Sequence, residues 1–248
     1  MVFLAVWTAF MVSYAVIVGA LLRDPEFFRR EQRRWARGLL RFWGVQLAVV
    51  GSEHMRPGVS YVVMSNHLSW ADIVALFIAL PTTPGFLAKR ELMRIPFLAQ
   101  ALRSGRHVLI DRAKHGDAMA ALARAAEQVR SGNTVLIFPE GTRGDSDTIG
   151  AFKKGGFHLA REAKVPILPV GLRGSRGVFP RGSLLVYSGK IEVHIGPEVP
   201  ASEVSQSELG EMLPRVRAKI MDLAAMEARP TSSGRVSNPR EPEPQSSS

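Results

Sequence analysis

Cysteine is absent from the 248 residues, and with it go disulfides, thiolate nucleophiles, zinc fingers and iron–sulfur ligation. Acids are in short supply: 22 Asp and Glu stand against 32 Lys and Arg, a formal charge of +10. Such a balance suits an anionic partner, whether phospholipid, phosphorylated substrate or nucleic acid. Tyrosine occurs only three times, and most Trp and Phe fall in apolar segments, so a stacking platform for nucleic-acid bases is not evident. None of the six histidines has a metal-ligand spacing such as H-E-x-x-H. There is no G-x-S-x-G elbow, no phosphate-binding G-x-x-x-x-G-K-[ST] loop and no G-x-G-x-x-G, so the common hydrolase, NTPase and dinucleotide readings lose support. What is plentiful is apolar: 46% of residues are hydrophobic, enough to fill the core of one large α/β domain.

Charge is also missing from residues 1–22. A helix of that length reaches about 33 Å at about 1.5 Å per residue, against a bilayer core of about 30 Å. A cleaved leader is the rival reading, with small residues at Val18, Gly19 and Ala20, but no Lys or Arg precedes the apolar run. Residues 23–41 then carry seven arginines against three acids, a net of +4, interleaved with Phe27, Phe28, Trp35, Leu39 and Leu40. Residues 1–44 are therefore expected to be a membrane anchor with a basic amphipathic segment, held on the cytoplasmic side by its arginines.

From 45 to 199 short apolar runs alternate with helical stretches. Strands are expected at 45–50, 61–64, 86–88, 108–110, 135–138, 167–172, 184–187 and 191–195, and helices at 71–80, 95–103, 115–130 and 207–228. This order predicts an α/β fold with a mainly parallel mixed sheet covered by helices, its sites at the carboxyl ends of strands. Residues 45–228 form one expected catalytic domain. Residues 229–248, rich in Pro, Ser, Arg and Glu, read as a disordered tail.

Two clusters sit directly after strands. In the first, Ser65-Asn66-His67-Leu68-Ser69-Trp70-Ala71-Asp72, His67 and Asp72 are five apart, a spacing that diverges by about 140° on one helix. His67 is therefore expected in the turn, reaching back to Asp72 in the first helical turn so that the carboxylate holds one ring nitrogen and leaves the other as a base. The alternative is a helix capped by Asn66 or Ser69, with His67 a polar turn residue. The second cluster is Phe138-Pro139-Glu140-Gly141-Thr142-Arg143. Its glycine permits close backbone approach, Thr142 offers a hydroxyl and Arg143 a planar fork of donors for phosphate oxygens; an ordinary glycine turn with a solvated arginine is the alternative. Lys89-Arg90-Glu91 and Arg112 follow two further strands, so cations from several strand ends could converge on one anion.

Together these residues resemble the lysophosphatidic acid acyltransferase (PlsC-type) family. Asn66-His67 with Asp72 is similar to its N-H-x-x-x-x-D block, and residues 138–143 match its F-P-E-G-T-R block. Lys89-Arg90-Glu91-Leu92 with Ile95-Pro96-Phe97 resembles the second block, and Val165-Pro166-Ile167-Leu168-Pro169-Val170 the fourth. Ala99 and Gly144 depart from the usual glycine and serine, which bears on loop shape rather than chemistry. The resemblance implies transfer of a fatty acyl group from acyl-CoA or acyl carrier protein to the free sn-2 hydroxyl of 1-acyl-glycerol-3-phosphate, giving phosphatidic acid. It implies His67 as base with Asp72 beside it, Lys89 and Arg143 on the phosphate, and Glu140, Gly141 and Thr142 shaping the glycerol site. No metal or bound cofactor is expected, and the partners are a membrane phospholipid surface, lysophosphatidic acid and the thioester donor rather than nucleic acid. The expected location is the inner membrane with the site facing the cytoplasm. Acylation of another lyso-lipid, such as a lyso-ornithine lipid, and a non-enzymatic membrane- or RNA-binding module remain the alternatives.

Overall fold

The computed structural model of the chain describes residues 2–22, 25–81, 84–94, 99, 100, 102, 107–110, 115–144, 148–225 and 227–228. Two helices, α1 (Val2–Leu22) and α2 (Pro25–Phe42), pack against each other ahead of the sheet. They are fastened by side chains: Trp7 Nε1 donates to the Trp35 carbonyl (3.1 Å) and Trp35 Nε1 to Thr8 Oγ1 (3.0 Å). Gly38 makes this approach possible, since a Cβ there would lie 2.6 Å from the Trp7 ring. The helix α2 is amphipathic, burying Phe27, Phe28, Ala36, Leu39 and Leu40. Along α1, Val6, Phe10, Ile17 and Leu21 stay exposed in a row at helical spacing. Among the described residues no helix is long and apolar enough to cross a membrane.

Only Trp43 and Gly44 separate α2 from β1 (Val45–Val50). There follow β2 (Val62–Ser65), α3 (Ala71–Ala79), β3 (Gly85–Lys89), β4 (Val108–Ile110), α4 (His115–Arg130), β5 (Val135–Ile137) and β6 (Thr148–Ile149). After these come α5 (Gly155–Ala163), β7 (Ile167–Arg173), α6 (Ser175–Val178), β8 (Gly189–Ile195), α7 (Ala201–Gln206), α8 (Leu209–Ala224) and β9 (Glu227–Ala228). Seven strands form one sheet in the order β1-β8-β7-β2-β5-β3-β4. Every neighbouring pair is parallel except β7 and β8, so the mainly parallel mixed α/β sheet expected from the chain is present. Strand β2, buried at all four residues, is the kind of continuous apolar run that a strand covered on both faces requires. One face packs Phe157, Leu159, Val216 and Ile220 of α5 and α8; the other packs Ala75, Leu76 and Leu80 beside Val63, Leu168 and Val170. The helix α2 lies outside this second layer, with Leu39 and Leu40 against Val74 and Phe77 of α3.

His107 ties α2 to the far edge of the sheet. Its Nδ1 accepts the Phe86 backbone N–H (3.2 Å), and its ring lies 4.0 Å from that of Phe86. With Nδ1 accepting, Nε2 bears the proton and faces the Gln32 side-chain amide at 3.3 Å. The amide oxygen, which otherwise has no partner, belongs on that side. Burial of the ring pushes its pKa down to about 3.

Two sequence expectations need correction. Residues 184–187 are not a strand: β8 already has β1 on one side and β7 on the other, and this segment makes its bonds locally, with Ser183 Oγ donating to the Leu185 carbonyl (3.1 Å) and Tyr187 N–H to that of Val178 (2.8 Å). The single helix over 207–228 is instead α8 with a separate α7 before it and the short strand β9 after it. Of the helix expected at 95–103, only residues 99, 100 and 102 are described, and they are helical. The tail 229–248 lies outside the described residues.

Candidate active site

The parallel register sets Met64 of β2 opposite Ile137 of β5. The turns that leave these strands, residues 66–70 and 138–144, therefore emerge side by side at the carboxyl edge of the sheet. Phe86 of β3 pairs with Leu136 on the other side of β5, so β3 ends at the same edge with Lys89 as its last residue. The Lys89 side chain and the whole of Arg112 lie outside the described residues.

The first turn is built on Asn66, which is fully buried. Its amide nitrogen donates to the Leu172 carbonyl (3.0 Å) and its amide oxygen accepts the Leu172 N–H (2.7 Å), so one side chain pairs with β7 as a strand residue would. Next in the chain, His67 turns its ring to Asp72, with Nδ1 2.8 Å from Oδ2. The same oxygen accepts the backbone N–H groups of Leu68 (2.7 Å) and Ser69 (2.8 Å). Asp72 is fully buried, whereas the His67 side chain keeps 14% of its surface. A carboxylate has no proton to give, so Nδ1 donates and Nε2 carries the lone pair. The His67 ring is also stacked on Phe138, 3.8 Å between centroids and 13° between planes. Ser69 does contribute to the helix entry, its Oγ accepting the Ala71 N–H (3.1 Å) and donating to the Phe179 carbonyl (2.8 Å). The turn thus both starts α3 and forms the dyad, because Asp72 reaches backwards from the helix to the loop that precedes it.

The second turn is clasped to the first. Glu140 accepts the His67 N–H on Oε1 (3.3 Å) and the Gly150 N–H on Oε2 (2.9 Å), and the Gly144 N–H donates to the His67 carbonyl (2.7 Å). The Glu140 carboxylate therefore joins three stretches of backbone. Gly141 has φ +77°, a torsion that favours glycine, and the Lys153 ammonium lies over it, 2.8 Å from where a Cβ would be. Arg143 lies with its guanidinium carbon 5.2 Å above the Trp70 ring, a stacking that aligns its planar donors. Arg181 donates to the Arg143 carbonyl (3.1 Å). Thr142 is exposed at the tip of the turn.

Two cations were missed in the sequence. Lys153, whose own N–H donates to the Pro139 carbonyl (2.8 Å), folds its ammonium over Gly141. Arg181 comes from the loop that follows β7 and α6 at the same edge of the sheet. The paired lysines in Phe152-Lys153-Lys154-Gly155, close behind the second cluster, were the available signal for Lys153; nothing local pointed to Arg181.

The arrangement holds a buried carboxylate, the imidazole it engages through Nδ1 and a cationic turn within one edge of a sheet. It can take a proton from a hydroxyl and bind an anionic group next to it. Among the described residues no group of three or more His, Asp or Glu could hold a metal ion.

Known proteins carry the same framework. Residues 46–173 match the family model described as Acyltransferase. The chain is 32% identical over 184 residues to the 1-acyl-sn-glycerol-3-phosphate acyltransferase of Pseudomonas aeruginosa, covering 73% of this chain and 70% of that one. It is 31% identical over 180 residues to 1-acyl-sn-glycerol-3-phosphate acyltransferase alpha of Homo sapiens, a match that spans only 64% of the human protein's length. The solved structure of the 1-acyl-sn-glycerophosphate acyltransferase PlsC from Thermotoga maritima superposes with a TM-score of 0.80 at 26% identity, covering 90% of both chains. With the dyad and the clasped turn falling inside the matched region, the chain belongs to the Acyltransferase family.

Proposed function

We propose that the protein moves a fatty acyl group from a thioester, acyl-CoA or acyl carrier protein, to the sn-2 hydroxyl of 1-acyl-glycerol-3-phosphate, giving phosphatidic acid. The observation that carries this reading is the His67 Nδ1 to Asp72 Oδ2 contact of 2.8 Å, set beside a turn with Arg143. A hydroxyl attacks poorly until a base removes its proton during bond formation, whereas a thiolate leaves readily because its conjugate thiol has a pKa near 8.5. His67 Nε2 takes the proton as the acceptor oxygen bonds to the thioester carbonyl carbon. Asp72 steadies the resulting imidazolium. The carbon–sulfur bond then breaks and the proton passes to the departing sulfur, so one base serves the whole cycle without a metal or bound cofactor. General-base assistance contributes about 10²–10⁴-fold, with positioning and oxyanion stabilisation supplying the rest. Arg143, Lys89 and Lys153 hold the acceptor phosphate, and Gly141 and Thr142 border its glycerol.

The α1–α2 hairpin supplies the membrane contact in this reading. Its exposed row of Val6, Phe10, Ile17 and Leu21 enters the lipid, and the arginines of α2 meet anionic headgroups. The site faces the cytoplasm from the inner membrane, where the lipid acceptor arrives laterally and a soluble thioester from the aqueous side. The experiment is to incubate the purified protein with several lysophospholipids and both donor types, and to identify products by mass. Phosphatidic acid from lysophosphatidate, lost in His67→Ala, is the expected result. Preference for a lyso-ornithine acceptor, or undiminished turnover by His67→Ala, would overturn the assignment.

A further inference from the structure

We propose that the loop between α6 and β8 is a second lipid-contacting element, which seats Leu184, Leu185 and Tyr187 in the surface of an anionic phospholipid bilayer beside the catalytic turn. The inference rests on the reading that the protein works at a membrane, and it adds a contact made by the catalytic domain itself. Leu184, Leu185 and Tyr187 are 71%, 63% and 49% exposed, while Val186 between them packs into the core. Soluble surfaces seldom present such neighbours together without a partner.

The loop does not leave these side chains outside for want of structure. Ser183 N–H donates to the Pro180 carbonyl (3.1 Å), closing a turn, and Leu185 N–H donates to Ser183 Oγ (2.9 Å). Tyr187 N–H donates to the Val178 carbonyl (2.8 Å). Three of the loop's N–H groups and the Leu185 carbonyl are thus bonded locally, which lowers the cost of seating the leucines at the headgroup level.

Its neighbours give the loop a direction. At one end Arg181 holds the Arg143 carbonyl (3.1 Å), and the Phe179 carbonyl accepts the Ser69 hydroxyl (2.8 Å), so the loop is attached to both catalytic turns. At the same end the Phe179 ring meets Trp43 edge-on at 6.4 Å, just past α2, and at the other end Ser188 lies against Gly44, where a Cβ would sit 3.3 Å from the Ser188 Cβ. There Phe42, 58% exposed, stacks on Phe3 of α1 at 3.5 Å. The loop is therefore fixed to the hairpin's end, where Phe42 is exposed, through Trp43, the buried Phe179 and Ser188. Residues 174–190 contain Arg176, Arg181 and Lys190 and no acid; Lys190 pairs with Glu192 at 2.5 Å, so the exposed Arg181 is the cation placed to meet a lipid phosphate once the leucines enter.

The absence of cysteine makes the test direct, because a single introduced thiol takes a single label. Leu184→Cys, Phe10→Cys on the hairpin and Glu127→Cys on α4, across the sheet, are each labelled with an environment-sensitive fluorophore. Each is mixed with vesicles of phosphatidylcholine and phosphatidic acid in a roughly four-to-one ratio. Emission at 184 and 10 is expected to rise at least about threefold with a blue shift, and emission at 127 to stay unchanged. Silence at 184 with a response at 10 overturns the loop proposal and leaves the hairpin reading standing; silence at both removes the membrane reading and the loop with it. In a second arm, Leu184→Ser with Leu185→Ser is expected to lower turnover of long-chain lysophosphatidate in vesicles about tenfold while leaving a short-chain, water-soluble acceptor unaffected. Equal loss on both acceptors, loss of a dimer instead of vesicle binding, or a raised KM for acyl carrier protein alone would each refute it.

Discussion

Replacing Asp72 by asparagine tests the dyad with the least disturbance to the fold. Asp72 Oδ2 takes three donors, from His67 Nδ1 at 2.8 Å and from the Leu68 and Ser69 amides at 2.7 and 2.8 Å. An asparagine can turn its one oxygen to that position and still accept them. What it lacks is the negative charge opposite the imidazolium that forms, in the proposed mechanism, as His67 takes the acceptor's proton. Two unit charges about 4 Å apart attract by about 4 kcal/mol at an effective dielectric near 20. The neutral hydrogen bond that survives is worth about 1 kcal/mol. The difference of about 3 kcal/mol falls on the transition state, which predicts a kcat lowered by about 10²-fold with little change in KM for either substrate. The assay is thiol release from acyl-CoA at saturating acceptor, with Tm measured alongside. Asp72→Ala behaves differently: the buried Leu68 and Ser69 amides lose their acceptor at about 1–3 kcal/mol each, so Tm drops as well as rate. A kcat for Asp72→Asn within about threefold of the parent, at unchanged Tm, would refute the electrostatic role.

Arg143→Lys keeps a charge but loses the planar fork and the stacking on Trp70. The KM for lysophosphatidate is expected to rise about tenfold with a smaller fall in kcat, and an unchanged KM would remove Arg143 from the phosphate. His107 makes stability depend on acid. Burial holds its folded pKa near 3, below the unfolded value of about 6.5, so the unfolded chain binds the proton first. Stability is complete above the unfolded value and falls by about 1.4 kcal/mol per pH unit from about 6.5 towards 3. Denaturant melts from pH 7 to 4 should show His107→Phe losing this dependence, whereas parallel slopes would contradict it.

Where local pattern and tertiary demand coincide, the elements were readable from the residues. Strands β1 and β4 and helix α4 have the bounds their apolar spacing implies, and the gap of five between His67 and Asp72 already required a turn followed by a helix. Residues 184–187 deceived the same logic. A run of Leu, Val and Tyr satisfies strand preference, but both edges of β8 are occupied and the loop closes on itself. Lys153 and Arg181 were missed for another reason: each reaches the site from a different element, and only the fold brings them to residues 141 and 143. Glu140 shows the limit of residue type as a guide. Its type alone told nothing of the contacts by which it could shape the site: its two oxygens engage the amides of His67 and Gly150.

If the hairpin rests in a lipid surface, as proposed above, the short connection at Trp43 and Gly44 bears on how the enzyme meets its substrate. With α2 seated on α3, whose first turn holds Asp72, and with no linker to swing on, the imidazole is mounted at a set height above whatever surface the hairpin rests in. A lipid must therefore bring its hydroxyl to that height. On that reading, headgroups that hold it shallower or deeper miss the base whatever their shape, and the proposed membrane contact makes the protein a ruler normal to the bilayer.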